Sequence, residues 1–81
     1  MIKIYSTSWC APCAAAKKML TELNYTYTEI DIEAQGISRE ELMKLTGGRT
    51  VPQIIINDKS IGGFNQLVTL NQNGTLEKML K

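Results

Sequence analysis

The chain has 81 residues, 43% of them hydrophobic, and nine basic against eight acidic residues leave a net charge of +1. This length suits one compact domain and is too short for two, so we expect residues 1–81 to form a single domain. Because the charge is balanced, the composition does not indicate a basic surface that would bind nucleic acid or an anionic membrane. No apolar run approaches the roughly 18–20 residues that span a bilayer, and the first residues lack the features of a secretory signal. We therefore expect a soluble, cytoplasmic protein.

The first half of the chain switches between strand and helix patterns. Residues 2–5 alternate as in a short strand, whereas residues 12–23 follow a helical period. Within that helix, which has Pro12 in its first turn and Asn24 as its stop, the less polar residues form one face. These residues are Cys13, Ala16, Leu20 and Leu23. Residues 25–32 are rich in aromatic and β-branched side chains, which favours a second strand.

The next segment predicts a short helix followed by a hairpin. Ser38 and Glu41 have the spacing of a capping box, and the helix that they begin ends at the glycine pair 47–48. Residues 53–56 have the composition of a buried strand. The turn at residues 57–59 leads into a second short strand at 60–61.

Helical patterns close the chain. The glycine pair 62–63 ends the last strand, and apolar residues from Phe64 onward predict a third helix. A loop at residues 71–74 precedes a final helical turn or two. The predicted order is β-α-β-α-β-β-α with an extra C-terminal turn. A helix between the first two strands makes them parallel, and the tight turn near residue 58 makes the last two antiparallel.

A cysteine pair, Cys10 and Cys13, joins the first predicted strand to the first helix. The two-residue gap lets the sulfurs meet when the second cysteine lies on the first helical turn. Cys10 then lies near the N-cap, where backbone N–H groups and the helix dipole stabilise a thiolate. Such motifs lower a cysteine pKa from about 8.5 to between ~3.5 and ~7.5. We expect Cys10 to be the nucleophile and the more shielded Cys13 to resolve the mixed disulfide.

The same pair could instead bind a metal. In a reducing cytosol, a lone close pair is more often catalytic or metal-binding than a structural staple. A mononuclear zinc site needs four ligands, but the sequence has no histidine and no third cysteine. Two chains could together supply four thiolates for zinc or an iron–sulfur cluster. A metal-binding dimer through Cys10 is therefore the alternative from another functional class.

Three motifs follow one another along the chain. They are the C-x-x-C pair after a strand, the segment LTGGRTVP at residues 45–52, and the segment IGG at residues 61–63 before a helix. In this order and spacing they resemble the glutaredoxin family, a branch of the thioredoxin-like fold, over nearly the whole chain. The resemblance implies an α/β fold with a four-stranded mixed sheet and thiol–disulfide oxidoreductase activity. It also implies glutathione as the reductant and no bound organic cofactor.

The resemblance implies substrate-binding roles in the second motif. A cis peptide bond would precede Pro52 and turn this proline toward the cysteines, although Pro52 could also simply start a strand. Val51 would then offer its backbone N–H and C=O to an extended substrate, with Thr50 beside it. Arg49 matches a position that contacts a glutathione carboxylate in many members, although a solvated arginine is the alternative.

The resemblance implies a second binding element at the third motif. Gly62 and Gly63 would permit close approach of a ligand to the backbone. The N–H groups of Phe64 and Asn65 would then bind the γ-glutamyl carboxylate at a helix N-terminus. Phe64 could equally be only a core side chain.

Three positions depart from the family pattern. Thr7 stands where many glutaredoxins have lysine, Pro12 where they have Tyr or Phe, and Gln66 where an acid often pairs with the glutathione amino group. An exposed charged contact contributes up to about 1 kcal/mol, so we expect glutathione to work weakly. The segment from Trp9 to Cys13, WCAPC, is similar to the active-site loop of thioredoxins. Trp9 then forms an exposed platform beside the nucleophile, with a core role as the alternative.

These observations predict a monomeric dithiol oxidoreductase. It would reduce protein disulfides or glutathione-mixed disulfides, with glutathione as its partner and reductant. The alternative within the enzyme class is a redoxin recharged by thioredoxin reductase, for example one that donates electrons to ribonucleotide reductase.

Overall fold

The computed structural model describes residues 1–80, and within them the secondary-structure elements follow the predicted order. The extra C-terminal helix is also present. The elements are β1 (Ile2–Ser6), α1 (Ala11–Glu22), β2 (Thr28–Asp31), α2 (Arg39–Thr46), β3 (Gln53–Ile56), β4 (Lys59–Gly62), α3 (Phe64–Gln72) and α4 (Thr75–Leu80).

The strands of the described residues form one four-stranded mixed sheet in the order β2-β1-β3-β4. β1 is parallel to β2 and antiparallel to β3, and β3 is antiparallel to β4. The predicted fold class is therefore confirmed. Because β1 lies between β2 and β3, the segment that follows β1 is flanked by the segment after β2 and the segment before β3. This topology places the cysteines between two loops that are distant in sequence.

Both faces of the sheet are covered by apolar side chains. Side chains alternate between the two faces along β1, so Ile4 packs on one side and Tyr5 on the other. The first cluster joins the sheet to α1, α3 and α4; it contains Ile2, Ile4, Ala16, Leu20, Ile54, Ile56, Leu67 and Leu76. The second joins the sheet to α2; it contains Tyr5, Ile32 and Leu42. Each fully buried Leu or Ile contributes about 1.5–3 kcal/mol, which holds α1 and α2 against opposite faces.

Local signals in the sequence correctly set several element ends. Asn24 has φ of 64° after α1, and the N–H of Tyr25 donates to the carbonyl of Leu20, which closes the helix in a Schellman motif. Ser38 and Glu41 form the predicted capping box at α2. The turn between β3 and β4 has two residues in the left-handed region, the type I′ geometry that matches strand twist.

β2 and α3 differ most from the predicted boundaries, and β4 is one residue longer at each end than the predicted strand at 60–61. β2 covers Thr28–Asp31, whereas the composition predicted a strand over residues 25–32. Pairing with β1 begins at Lys3↔Thr28, so the residues before Thr28 lie outside the strand pairing. α3 continues to Gln72 through part of the predicted loop at residues 71–74. Over residues 1–80, no helix is long and apolar enough to cross a membrane.

Candidate active site

The cysteine pair is built into the start of α1. Cys10 is the N-cap, and its sulfur accepts a hydrogen bond from the N–H of Cys13 at 3.1 Å. The two cysteines are joined as a disulfide with their Cα atoms 5.2 Å apart. Because Cys10 has extended backbone angles and Cys13 lies on the first helical turn, the helix itself brings the sulfurs together. The same N–H group would stabilise a thiolate on Cys10 after reduction.

The two sulfurs differ in access. Cys10 is 7% exposed, whereas Cys13 is fully buried. Pro12, which lies in the first turn of α1, is exposed. A substrate sulfur therefore reaches the pair from the Cys10 side. Cys13 lies behind it, as its position on the helix predicted.

The loop before β3 faces Cys10. The carbonyl oxygen of Val51 lies 3.6 Å from the Cys10 sulfur, and the peptide bond between Val51 and Pro52 is cis, as predicted. Strand pairing between β3 and β1 begins at Gln53, so Val51 lies beyond the last paired residue. Its backbone is consequently placed to pair with an extended ligand.

A groove runs across the disulfide, and we call it the disulfide groove. One end is lined by Trp9, Cys10, Ala11, Pro12, Arg39, Arg49, Thr50 and Val51. The other end is lined by Pro12, Thr50, Val51, Pro52, Gly63, Phe64, Asn65 and Gln66. The residues shared by the two ends are Pro12, Thr50 and Val51, which makes the groove continuous. It collects every residue of the predicted site except Cys13, which lies behind it.

The first end of the groove is basic, and one of its residues was missed by the sequence analysis. Arg39, the first residue of α2, donates from Nη1 to the backbone carbonyl of Arg49 at 3.0 Å. Both side chains are exposed, so their remaining N–H groups are available to an anion. A cation in the first turn of a helix opposes the helix dipole. That mismatch was the available signal for Arg39.

The second end of the groove is the N-terminus of α3. Gly63 is the N-cap, and its N–H donates to Oε1 of Gln66 at 2.9 Å. Phe64 and Asn65 are the first two helical residues, whose N–H groups precede the intrahelical ladder. Gly62 has φ of 101°, and a Cβ there would lie 3.1 Å from the Gln66 side chain. Only glycine fits this turn without strain.

Trp9 lies on the rim of the groove with 65% of its surface exposed. Its Nε1 donates to Oε1 of Glu33 at 2.9 Å. The partners are 24 residues apart in sequence, and no sequence signal connected them. The exposed position agrees with the expectation of a platform beside Cys10.

Thr7 does not lie on the rim, which corrects its treatment as an exposed contact position. Its side chain is 2% exposed, and among residues 1–80 its hydroxyl has no hydrogen-bond partner. Its carbonyl accepts from the N–H of Cys10 at 3.5 Å. A lysine at this position would have to leave a buried site to reach a ligand, so it would not simply restore an exposed charge.

An ion pair joins α1, one turn beyond Cys13, to strand β2. Lys17 donates to Glu29 at 2.6 Å, and the hydroxyl of Ser6 donates to the same carboxylate at 2.8 Å. The hydrogen bond from Lys17, followed by that from Ser6, lowers the pKa of Glu29 below its ordinary value. In the part of the chain that the structure describes, no group of three or more His, Cys, Asp or Glu residues is arranged to hold a metal ion.

Comparison with known proteins shows the relationship of this chain. The sequence profile of the glutaredoxin family matches residues 2–61. Glutaredoxin 3 of Escherichia coli is 36% identical over 80 residues, which cover 99% of this chain and 96% of that protein. A glutaredoxin of Pseudomonas aeruginosa is 35% identical over 79 residues, covering 98% and 94%.

Solved structures give the same relationship. The crystal structure of the buckwheat glutaredoxin–glutathione complex superimposes with a TM-score of 0.87 at 30% identity, covering 98% of this chain and 74% of that chain. The solution structure of glutaredoxin from Brucella melitensis has a TM-score of 0.83 at 34% identity, covering 99% and 87%.

A thioredoxin-like sheet with a disulfide-forming cysteine pair at the start of its first helix defines a thiol–disulfide oxidoreductase. Within that class, the chain belongs to the glutaredoxin family.

Proposed function

We propose that this protein is a glutathione-dependent oxidoreductase that reduces protein disulfides or glutathione-mixed disulfides through Cys10 and Cys13. The observation that carries the proposal is the disulfide groove, which is basic at one end and has a helix N-terminus at the other. Glutathione is an extended tripeptide with a carboxylate at each end. Arg39 and Arg49 suit one carboxylate, and the first N–H groups of α3 suit the other.

The reaction transfers two electrons by thiol–disulfide exchange. The Cys10 thiolate attacks one sulfur of the substrate disulfide, and the other substrate sulfur leaves as a thiolate that takes up a proton. The Cys13 thiol then loses its proton and attacks the Cys10 sulfur. This step forms the Cys10–Cys13 disulfide and releases the second substrate thiol. Two glutathione molecules return the pair to the dithiol and are themselves oxidised to glutathione disulfide.

The backbone of Val51 supports binding of an extended substrate. Its carbonyl lies beside the Cys10 sulfur, and an added strand there would be held by main-chain hydrogen bonds. Main-chain bonds are independent of side chains, so a tripeptide and an unfolded protein segment both suit the groove. The buckwheat relative was crystallised as a complex with glutathione, which supports glutathione as the ligand.

The thioredoxin-reductase-dependent alternative is favoured by two observations, one at a buried position before Cys10 and one in the groove. Thr7 is buried and uncharged, so no lysine assists the basic end. At the other end, Oε1 of Gln66 already accepts from the N–H of Gly63 at 2.9 Å, and the amide nitrogen of this side chain is a donor that cannot accept from a ligand amine. A glutathione ammonium group would therefore lack the acid that the family often provides. A redoxin that donates electrons to a protein such as ribonucleotide reductase would not need that acid.

Parallel reduction of the oxidised protein separates the two proposals. One assay supplies glutathione, glutathione reductase and NADPH, and the other supplies thioredoxin reductase and NADPH. We expect glutathione to support turnover, at a rate limited by weak binding. Turnover with thioredoxin reductase and none with glutathione would show that the protein is instead a redoxin recharged by thioredoxin reductase.

We further propose that residues 1–81 act as a single-domain monomer in the cytoplasm. The balanced charge and the lone cysteine pair support this proposal. Sedimentation of the reduced protein would test it, and a coloured dimer would instead indicate the iron–sulfur form that is bridged through Cys10.

A further inference from the structure

The orientation of the Trp9 indole is set by one hydrogen bond. The ring is 65% exposed, and its N–H donates to the carboxylate of Glu33 at 2.9 Å. The indole nitrogen can only donate, and a tryptophan side chain has only two rotatable torsion angles. A single well-formed bond therefore fixes the direction of the ring.

Glu33 is itself held by the turn after β2. Its N–H donates to Oδ1 of Asp31 at 2.9 Å, and its carbonyl accepts from the N–H of Gly36 at 3.2 Å. The N–H of Ile32 donates to the carbonyl of Ser6 at 2.9 Å, which ties the turn to the end of β1. The carboxylate thus extends from an ordered segment.

The sheet order gives this bond a direction across the groove. Trp9 follows β1, Glu33 follows β2 and Val51 precedes β3, and β1 lies between the other two strands. The hydrogen bond to Glu33 consequently holds the indole on the side of the groove opposite Val51. The approach to the Cys10 sulfur lies between a fixed indole face on one side and the half-buried Val51, whose carbonyl oxygen lies 3.6 Å from that sulfur, on the other.

We infer that Glu33 is a positioning residue that acts through Trp9 and selects polypeptide disulfides with an apolar side chain beside the cysteine. The inference rests on the proposed function. An indole that is already ordered gives an apolar side chain a flat contact without a further ordering cost. When the bond is lost, that cost returns, and kcat/KM for such substrates falls by about 3- to 10-fold.

Two peptide substrates test the role of Glu33. Each is a short peptide in mixed disulfide with glutathione, and the residue beside its cysteine is Phe in one and Ser in the other. We expect the wild type to prefer the Phe peptide, mainly through KM. Glu33→Ala removes the preference by slowing only the Phe peptide, whereas Glu33→Gln keeps it because its amide oxygen still accepts from the indole. Glu22→Ala, at the far end of α1, is the matched control and leaves both rates unchanged.

Two further measurements identify the route through Trp9. The sequence has one tryptophan, so its indole N–H gives one NMR resonance, which shifts in Glu33→Ala and stays in place in Glu22→Ala. Trp9→Ala also removes the preference, and adding Glu33→Ala to it causes no further loss. Equal losses for both peptides in Glu33→Ala, or additive losses in the double variant, would overturn the role of Glu33. A wild type without a Phe preference would overturn this inference alone, whereas a wild type that reduces neither peptide would overturn the proposed function and the inference with it.

Discussion

The first turns of α1 and α2 both have backbone N–H groups without a partner inside the helix. Different side chains accept hydrogen bonds from these groups in the two helices. At α2, the Ser38 hydroxyl accepts from the N–H of Glu41, and the Glu41 carboxylate accepts from the N–H of Ser38. At α1, the cap is the sulfur of Cys10, which accepts from the N–H of Cys13. One cap is chemically inert, and the other is a group that exchanges covalent bonds.

This difference shows how one backbone feature serves two purposes. The hydroxyl and carboxylate at α2 stabilise the helix and stay as they are. The sulfur at α1 changes between thiolate and disulfide, and the same N–H groups favour its charged form. The identity of the cap residue therefore decides whether a helix start contributes stability or chemistry.

The largest expected effect is the loss of the α1 cap sulfur. Cys10→Ser should abolish all disulfide reduction, because Cys13 is fully buried and cannot reach a substrate. Cys13→Ser should lose protein-disulfide reduction and keep activity on glutathione-mixed disulfides, which needs one thiol. Steady-state assays on both substrates measure this. An active Cys10→Ser beside an inactive Cys13→Ser would reverse the assigned roles.

The second effect concerns the charge that the α1 cap holds. In the reduced protein the pKa of Cys10 should lie below the free value of about 8.5, because the Cys13 N–H points at its sulfur. The rate of alkylation against pH in Cys13→Ser, which leaves one thiol, gives the value directly. A midpoint at or above the free value would show that the two helix starts do not differ in this way.

The third prediction concerns the inert cap. Ser38→Ala should lower the free energy of unfolding by about 0.5–2 kcal/mol, since an N-cap hydroxyl is lost. Disulfide reduction per folded molecule should stay unchanged. Denaturant unfolding and the same assays test both parts, with Ser60→Ala, at an exposed position of β4, as a control. A change in catalytic rate would contradict the division between the two caps.

The fourth prediction concerns the basic end of the groove, where α2 meets the loop before β3. Arg49→Ala should raise the KM for glutathione-mixed disulfides, because an exposed charged contact contributes up to about 1 kcal/mol, or about fivefold. Arg39→Ala should do the same and also loosen the loop whose carbonyl it binds. Lys44→Ala, at an exposed position of α2 that does not line the groove, serves as the control. Unchanged kinetics in both arginine variants would remove glutathione binding from this end.

The smallest expected effect is a pH dependence near α1. The pKa of Glu29 is lowered in the folded protein, first by the hydrogen bond from Lys17. The ionised carboxylate therefore adds stability above its unfolded pKa of about 4.3, and this stability is lost as pH falls through the lower folded pKa. In acid unfolding experiments, Lys17→Met should therefore reduce the loss of unfolding free energy as the pH falls below the unfolded pKa of Glu29. A wild-type curve and a variant curve of the same shape would show that the pair contributes nothing measurable.

Sequence patterns predicted the features that depend on neighbouring residues. The capping box at Ser38, the stop at Asn24 and the cap position of Cys10 all arise within one or two helical turns. Short-range sterics and hydrogen bonds decide them, so the sequence alone was sufficient. The resemblance to glutaredoxins added the cis bond before Pro52, which no local pattern would have given.

Tertiary structure alone decided the features that join distant segments. Arg39 reached the groove because α2 packs across the sheet, and Glu33 met Trp9 because β2 lies beside β1. Thr7 looked like a surface position but became buried at the end of the central strand. β2 began at Thr28 because only there does it meet β1, although its composition favoured an earlier start. Contacts of this kind depend on which strands become neighbours, and the period of a single segment carries no information about its neighbour.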